Sequence, residues 1–310
     1  MTVTFREFRP DSADAGSIVR IRSLTTPYIV TTAEAISEGM ANDNPAARNH
    51  VLLAEDDASG EVVGVVHCGV AYESAEPGHG FGSPQVHPGH RGRGIGSALL
   101  RSAEEYLAAQ GVTTLHAWAS DETAAAFARG RGYTSAHAMH YQRLDLAAGT
   151  LPQAPALPPG FVLRGADCLG DDPRALFEAD AEVTLDEPGS TQAVLDDYDD
   201  WLNSTWNDSL HNRGLSTVVF AEDGRVAAFT LAHTDGRTRY VSGMTGVRKE
   251  FRGLGLAKAA KADSLSRSRA AGFLEAFTSN DDINRPMLAV NAWFGYERCA
   301  TAVEYTRALG

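Results

Sequence analysis

Short apolar runs and longer amphipathic stretches follow one another along the chain, and they do so in the same order twice. Apolar arms on either side of a polar DDASG turn predict a hairpin over residues 50–72, and a similar hairpin with its turn at EDG is predicted over residues 216–234. Apolar residues at helical spacing predict amphipathic helices over residues 97–109 and 256–271. The pattern therefore predicts two copies of one mixed arrangement of strands and helices.

Each half follows the order hairpin, strand, glycine-rich loop, helix, strand, helix, strand. A strand over residues 3–8 precedes the first set, and a strand over residues 161–167 with helices from about residue 173 to residue 207 precedes the second. Such an order is typical of a mixed α/β fold. We expect an α/β protein of two tandem domains, each a mixed and mostly antiparallel sheet flanked by helices.

The period of the repeat sets the domain boundaries. Arg91 corresponds to Arg252, a step of 161 residues (252 − 91), and a later Gly-Tyr pair recurs after 163 residues (295 − 132). Since this is about half of the 310-residue chain, it indicates duplication of a whole domain and not a solenoid. Four prolines in residues 147–160 predict a semi-rigid linker, which places the two domains at residues 1–146 and 161–310.

Charge and composition limit the classes of partner. The chain has 27 Lys and Arg against 40 Asp and Glu, a formal net charge of −13, which argues against binding a nucleic-acid backbone. No apolar run approaches the length of a membrane span, and the first residues lack a basic region followed by an apolar one. Cys68, Cys168 and Cys299 are far apart and form no C-x-x-C pair. We expect a cytoplasmic protein with reduced thiols, no membrane partner and no structural metal.

A glycine-rich stretch joins strand to helix in each half, VHPGHRGRGIGSALL at residues 86–100 and TGVRKEFRGLGLAKAAKADSL at residues 245–265. Glycine permits a positive φ, and the first turn of a helix carries unpaired N–H groups, so such a loop suits a pyrophosphate. The first stretch fits neither a dinucleotide fingerprint, whose last glycine is replaced by Ser97, nor a P-loop, which requires a Lys. Close packing of the helix on the sheet remains an alternative role for these glycines.

Both stretches fit the pattern Arg-x-x-Gly-x-Gly/Ala, beginning at Arg91 and at Arg252. In this pattern the chain resembles the GCN5-related N-acetyltransferase (GNAT) family, twice and over nearly its whole length. The resemblance implies acetyl-CoA as the cofactor, with its pyrophosphate on backbone N–H groups of the loop and its pantetheine arm beside the preceding strand. The residues implied are Val86, Arg91, Gly92, Arg93, Gly94, Ile95, Gly96 and Ser97 in the first half, and Val247, Arg252, Gly253, Leu254, Gly255, Leu256, Ala257 and Lys258 in the second.

The family pattern also has an Asn near the start of the helix after the fifth strand, and seven residues later a Tyr that protonates the leaving thiolate. The resemblance aligns Asn284 with that Asn, flanked by Asn280, and Asn291 with the Tyr. The first half has Asp121 and Ala128 at the two positions, so neither half keeps the tyrosine. Asn280 and Asn284 are therefore candidates for cofactor binding and Asn291 for catalysis, with a helix cap as the alternative role of Asn284.

The departures from the family pattern are larger in the first half. Asp121 adds a negative charge, Ala128 can donate no proton, and Pro84 stands in the strand that the family pattern places beside the acyl group. The second half has neutral amides at the corresponding places. We therefore expect the C-terminal half to be catalytic and the first half to be a second cofactor site or a structural partner.

Candidates for the general base lie in the second half. Asp186 and Glu187 occur in LDEPG, where a loop over the acceptor pocket is expected, and Tyr240 precedes the end of the fourth strand. Each could take a proton through a water molecule. Surface carboxylates beside a Pro-Gly turn more often have no catalytic role.

The sequence thus predicts an N-acetyltransferase that transfers an acyl group, expected to be acetyl, directly to the amine of a small molecule within a ternary complex. No Cys or Ser stands with a His in a pattern suited to carry a covalent acyl group. The net charge favours a cationic acceptor. Two alternatives stay open, a non-catalytic acyl-CoA-binding sensor or scaffold, and a tandem synthase acting on a thiol-bearing sugar.

Overall fold

A computed structural model describes residues 2–10 and 13–310, and contacts between residues divide the chain into two compact units. Unit 1 consists of Met1–Met139 together with Ala300–Gly310, and unit 2 consists of His140–Cys299. Each unit contains a mixed sheet with helices packed on it. The predicted fold class, α/β with two repeats of one domain type, is confirmed.

Unit 1 is built on a sheet in the order β1-β2-β3-β4-β6-β13, followed by the first half of β7, with β5 beside β3. Its elements are β1 (Val3–Glu7), α1 (Asp14–Thr25), α2 (Ala33–Ala41), β2 (His50–Asp56), β3 (Val62–Val70), β4 (His79–Gly82), β5 (Gln85–Val86), α3 (Ile95–Ala109), β6 (Thr114–Ala119), α4 (Glu122–Arg129), β7 (Thr134–Asp145) and the later part of β13 (Glu297–Ala308). The β4–β6 pair is parallel, and the pairs β1–β2, β2–β3, β3–β4 and β6–β13 are antiparallel. The helices cover two faces of the sheet, because Ile18 and Ile21 of α1 pack in one apolar cluster while Leu99 and Leu107 of α3 pack in another.

Unit 2 repeats this plan with the order β7-β12-β11-β10-β9-β8. Its elements are the second half of β7, β8 (Val162–Gly165), α5 (Arg174–Thr184), α6 (Tyr198–Trp201), β9 (Thr217–Phe220), β10 (Val226–Thr234), β11 (Arg239–Val247), α7 (Leu256–Ala270), β12 (Glu275–Asp281), α8 (Arg285–Phe294) and the start of β13. The β11–β12 pair is parallel, and β8–β9, β9–β10 and β10–β11 are antiparallel. Trp201 and Trp206 fill a core cluster with Phe229, while Leu265 of α7 packs with Ala276 in another.

The limits of the compact units differ from the domain boundaries that the sequence predicts. Residues 140–146 belong to unit 2 and residues 300–310 to unit 1, although we placed both on the other side of the linker. The last segment joins unit 1 because it pairs antiparallel with β6, from Val303 opposite Ala119 to Ala308 opposite Thr114. Periodicity identifies such a segment as a strand but carries no information about the sheet that receives it.

The predicted helices agree with the structure except in one segment. Helix α3 begins two residues earlier than predicted, and α7 ends one residue earlier. The helices predicted from about residue 173 to residue 207 are two, α5 and α6, followed by a short π-helical segment at Leu202–Trp206. Pro188 and Gly189 lie in the irregular connection between α5 and α6, where both residue types disfavour a helix. Within the described residues, no helix combines the length and apolarity needed to span a bilayer.

Candidate active site

The two glycine-rich loops have the same backbone conformation. Gly92 and Gly94 have φ of 75° and 83°, and Gly253 and Gly255 have φ of 79° and 78°. A Cβ built on any of the four would meet no described heavy atom within 4 Å, so the space beside them is open. The glycines are therefore explained by the left-handed backbone of the loops, and close packing does not account for them at these four positions.

Both loops end at the N-terminus of a long helix. Gly94 and Gly255 are the N-cap residues of α3 and α7, and in the described part of the chain no side chain caps either helix. The first turns are therefore left with N–H groups directed at the loop, where the partial positive charge of the helix end favours an anion. The predicted residues that form these turns are Ile95, Gly96 and Ser97 in unit 1 and Leu256, Ala257 and Lys258 in unit 2.

One arginine beside each loop is held to the end of the preceding strand. Arg91 Nε donates to the Val86 carbonyl oxygen at 3.4 Å, and Arg252 Nε donates to the Val247 carbonyl oxygen at 3.2 Å. Each guanidinium also pairs with a carboxylate, Arg91 with Asp121 at 3.1 Å and Arg252 with Asp186 at 2.8 Å. The structure thus brings together the strand end, the arginine and the glycine loop in both units.

The loops differ in the side chains that surround them. In unit 1, an Nη atom of Arg93 donates to the Gly89 carbonyl oxygen at 3.2 Å, whereas the corresponding residue of unit 2 is the exposed Leu254. In unit 2, Lys258 lies with Nζ 4.9 Å from the ring centre of Trp293. The second loop therefore has an aromatic ring and an ammonium group at the start of its helix.

A gap opens between the two parallel strands of each unit. In unit 2, β11 and β12 pair only up to Val241 opposite Phe277, although the strands continue to Val247 and Asp281. The ladder between β10 and β11 also shifts register between Thr230 and Ala232, which marks a bulge. The later part of β11 is therefore free of β12 and can receive an extended chain beside it.

In unit 1 the corresponding gap is bridged. Pairing of β4 with β6 ends at Phe81 opposite His116, and β4 stops at Gly82. Beyond it, the Trp118 N–H donates to Ser83 Oγ at 2.7 Å, and Pro84 separates β4 from β5. The strand that is continuous in unit 2 is thus interrupted at the proline, as the sequence suggested.

Asp186 and Glu187 follow α5 and differ in environment. Asp186 lies 2.8 Å from Arg252 and 3.6 Å from Lys249, and its hydrogen bond to Arg252 is the main cause of the lowered pKa of its carboxyl group. The residue Glu187 is exposed overall, yet enough protein surrounds its carboxyl group that desolvation raises its pKa. Glu187 is therefore the stronger base of the two, and Asp186 serves to balance the cations of the second loop.

Tyr240 lies in the core and not beside the gap. Its side chain is fully buried, and its hydroxyl group is 2.7 Å from Ser264 Oγ and accepts from Ser242 Oγ at 3.3 Å. Burial raises the pKa of the phenol. Because neither solvent nor an acceptor amine can reach this group, the geometry argues against the expectation that Tyr240 acts as a base.

The three predicted asparagines have two different roles. Asn284 is the N-cap of α8, since its Oδ1 accepts from the Met287 N–H at 3.3 Å, so the helix-cap alternative describes it. Asn291 is fully buried, and its Nδ2 donates to Asn280 Oδ1 at 2.6 Å and to Gln142 Oε1 at 2.9 Å. The structure therefore joins Asn291 to Asn280 and leaves Asn284 at the helix end.

Lys261 completes this group, and the sequence analysis missed it. Its side chain is fully buried, and Nζ donates to Asn291 Oδ1 at 2.5 Å and lies 4.9 Å from the ring centre of Tyr296. Desolvation lowers the pKa of the ammonium group to about 7. The available signal was a lysine four residues before Leu265, on the face of α7 that packs on the sheet.

We expect the free energy of unfolding to depend on pH through Lys261. Its pKa in the folded state, about 7, is below its ordinary value of 10.5, so between these values the unfolded chain binds more protons and stability rises with pH. Lys261→Met should flatten this rise and stabilise the protein at pH 7 by about 2 kcal/mol, the desolvation cost less that of the unpaired Asn291. Urea unfolding of both proteins from pH 7 to pH 10 measures the difference, and equal slopes would contradict the assignment.

A chain of histidines and a carboxylate crosses the sheet of unit 1. His79 Nδ1 is 2.8 Å from His116 Nε2, and His116 Nδ1 is 3.1 Å from Glu304 Oε1. His137 Nε2 lies 3.0 Å from the second oxygen of Glu304. Sequence patterns could not find this group, because His116 and Glu304 are 188 residues apart. Across the described residues, no cluster of three or more His, Cys, Asp or Glu side chains is arranged to hold a metal ion.

Comparison with known proteins follows this geometry. Residues 17–133 and residues 179–296 each match the Acetyltransferase (GNAT) family. The chain is 31% identical over 290 residues to the mycothiol acetyltransferase of Nocardiopsis dassonvillei, with 84% of this chain and 82% of the relative covered. It is 30% identical over 267 residues to the mycothiol acetyltransferase of Thermomonospora curvata, with 84% and 83% covered.

Solved structures share the fold over both units. A tandem GNAT protein from the clavulanic acid biosynthesis pathway has a TM-score of 0.73 at 22% identity, covering 100% of this chain and 99% of that one. A GCN5-related N-acetyltransferase from Sphaerobacter thermophilus has a TM-score of 0.73 at 21% identity, covering 99% and 96%. At these identities the likeness concerns the fold alone.

Proposed function

The chain belongs to the acetyltransferase (GNAT) family and is an N-acetyltransferase, and on that premise we propose that unit 2 transfers an acetyl group from acetyl-CoA to an amine of a small molecule. The observation that carries this proposal is the contrast between the two gaps. In unit 2 the strand β11 is continuous and diverges from β12, whereas in unit 1 the Trp118–Ser83 hydrogen bond and Pro84 occupy the same place. Only unit 2 combines an open anion-binding loop with an open gap.

The residues of unit 2 fit the parts of such a cofactor. The N–H groups from Gly253 to Lys258 would hold the pyrophosphate, with Arg252 at its side, and the free edge of β11 near Val247 would hold the pantetheine arm. Asn280 would lie beside the same arm on the facing strand. When bound, acetyl-CoA supplies an acetyl group on a thioester sulfur.

The acceptor must lose a proton as it is acylated, and Glu187 is the group in unit 2 best suited to take that proton. Its carboxyl pKa is raised, which brings the proton affinity of the base closer to that of the task. Asp186 is less suited because Arg252 and Lys249 compete with the proton for its oxygens. Direct transfer within a ternary complex accounts for the reaction without a covalent acyl-enzyme.

The chemical class of the acceptor is a small amine that also carries a thiol. This follows from two curated relatives that span more than four fifths of this chain and are named mycothiol acetyltransferases. The net charge of −13 is compatible with an acceptor that arrives as a cation. We propose an amine of a mycothiol-type thiol as the first acceptor to test, with amino sugars and polyamines as competitors.

A binding role for unit 1 is favoured by one specific observation. Its glycine loop keeps the open left-handed conformation at Gly92 and Gly94, while its gap is bridged. We propose that unit 1 can hold an acyl-CoA without turning it over.

Titration calorimetry with acetyl-CoA, followed by assay of free thiol release with a panel of amines, tests the proposal. We expect binding with a stoichiometry of at least one per chain and thiol release that depends on the amine. Absence of binding would overturn the acetyltransferase assignment of unit 2. Binding without thiol release from any amine would instead favour a non-catalytic acyl-CoA-binding protein.

A further inference from the structure

We propose that Lys261, acting through Asn291 and Asn280, is a positioning residue that replaces the missing tyrosine of unit 2: it orients the two amides beside the gap, and its ammonium charge favours the departing thiolate. This inference rests on the proposed function of unit 2. It concerns the three side chains that the hydrogen bonds described above join in a line, from Lys261 on α7 to Asn291 on α8 and Asn280 on β12.

The position of the group relative to the gap supports this role. Pairing of β11 and β12 ends at Phe277, and the next residue, Thr278, donates from Oγ1 to the Ser242 carbonyl oxygen at 3.1 Å. Asn280 follows two residues later, on the same face of β12 as Thr278 and beyond the last strand contact. Asn280 is half-buried, whereas Lys261 and Asn291 are fully buried, so Asn280 is the end of the line that a ligand in the gap can touch.

The duplicated unit shows that packing alone does not require these polar residues. Shifting by the steps of the repeat, Lys261 corresponds to residue 100 (261 − 161), and Asn291 and Asn280 correspond to residues 128 (291 − 163) and 117 (280 − 163). All three positions of unit 1 are apolar and buried in one core cluster, as Leu100, Ala128 and Ala117. The unit with the bridged gap thus has three apolar residues where the unit with the open gap has a lysine and two amides.

The cost of burying Lys261 is the second argument for a function. None of the ion pairs found among the described residues includes Lys261, and Asn291 is the only described acceptor of its hydrogen bonds. The groups that face it are neutral or distant cations: the phenols of Tyr296 and Tyr240 have raised pKa values, and Lys258 one turn earlier lies over Trp293. An ammonium group without a carboxylate is expensive to bury unless it later balances an anion.

The reaction supplies such an anion. As the bond between the amine nitrogen and the acyl carbon forms, the carbon–sulfur bond breaks, the sulfur keeps the electron pair, and the amine proton passes to the base. The charge of Lys261 would favour the sulfur anion through the low-dielectric interior, while Asn291 and Asn280 hold their amides in a fixed orientation. A tyrosine would donate a proton at this step, so the lysine gives the same stabilisation by charge.

The pH dependence of kcat for acetyl transfer, measured by thiol release, tests the inference. We expect kcat of the unaltered protein to fall as pH rises above about 7, where Lys261 loses its charge. Lys261→Met should lower kcat by about tenfold to a hundredfold and remove this alkaline fall. Asn291→Asp should move the fall to higher pH, because a carboxylate beside Lys261 keeps it charged.

The control is Ser268→Ala, which removes a buried hydroxyl group from the same helix. Ser268 bonds only to the helix backbone at Ser264, so its variant should leave the pH profile unchanged. An unchanged alkaline fall in Lys261→Met, with turnover retained, would overturn the inference and leave the proposed function intact. Absence of turnover in the unaltered protein would overturn the proposed function itself.

Discussion

Gly255→Glu is expected to lower kcat/KM for acetyl-CoA by at least about a hundredfold, because it acts on the anion site in two ways. Gly255 has a φ of 78°, which a residue with a Cβ adopts only with strain. The open space beside it would receive the glutamate side chain, whose negative charge would lie among the N–H groups at the start of α7. Steady-state kinetics and calorimetry with acetyl-CoA measure the loss.

Two matched variants separate the effect on the site from strain. Gly224 has a φ of 83° and equally open space, but lies in the turn between β9 and β10, so Gly224→Glu should cost stability without affecting turnover. Gly94→Glu makes the same change in unit 1 and should lower the binding stoichiometry while leaving turnover nearly intact. Loss of turnover in Gly94→Glu with turnover retained in Gly255→Glu would assign catalysis to unit 1.

Deletion of residues 300–310 is expected to unfold unit 1, although these residues are remote from it in sequence. They form the strand next to β6, and they bury Ala302, Glu304 and Tyr305 to within 5% of full burial. The deletion exposes the edge of β6 and leaves His116 and His137 without their carboxylate partner. Limited proteolysis with mass spectrometry should show cleavage within residues 1–139 ahead of cleavage within residues 140–299.

A single substitution gives a finer test of the same strand. Glu304→Ala should lower the stability of unit 1 by about 3 kcal/mol, because two imidazole groups lose a buried partner. Glu297→Ala, at the exposed start of β13, is the matched control and should have little effect. Equal stability of the two variants, or protection of residues 1–139 after the deletion, would show that unit 1 folds without the last strand.

Much of the fold follows from local patterns. The positions of the glycine loops and of α3 and α7 could be predicted because positive-φ glycines and helical periodicity involve residues close in sequence. The interruption at Pro84 is also local, since proline lacks the N–H that a strand needs. The cofactor-loop residues were identified for the same reason, and the structure groups them around one helix end in each unit.

The catalytic candidates depended on contacts that no local pattern contains. Asp186 pairs with Arg252 across 66 residues (252 − 186), and this pairing makes it a weak base. Tyr240 occupies an alternating position of a strand, and only packing against α7 decides that its hydroxyl group is buried. Asn284 was equally compatible with a cap and with a ligand, and the direction of its side chain resolves the choice.

The sequence by itself determined the duplication, the family pattern and the place of each anion-binding loop, because each depends on residues within about one turn or on a simple repeat. The tertiary structure decided which sheet receives the last strand, which gap stays open, and that Lys261 is buried against Asn291. These features arise from side chains that are distant in sequence and close in space. Their energies come from desolvation and hydrogen-bond geometry, which have no counterpart in the order of residues along the chain.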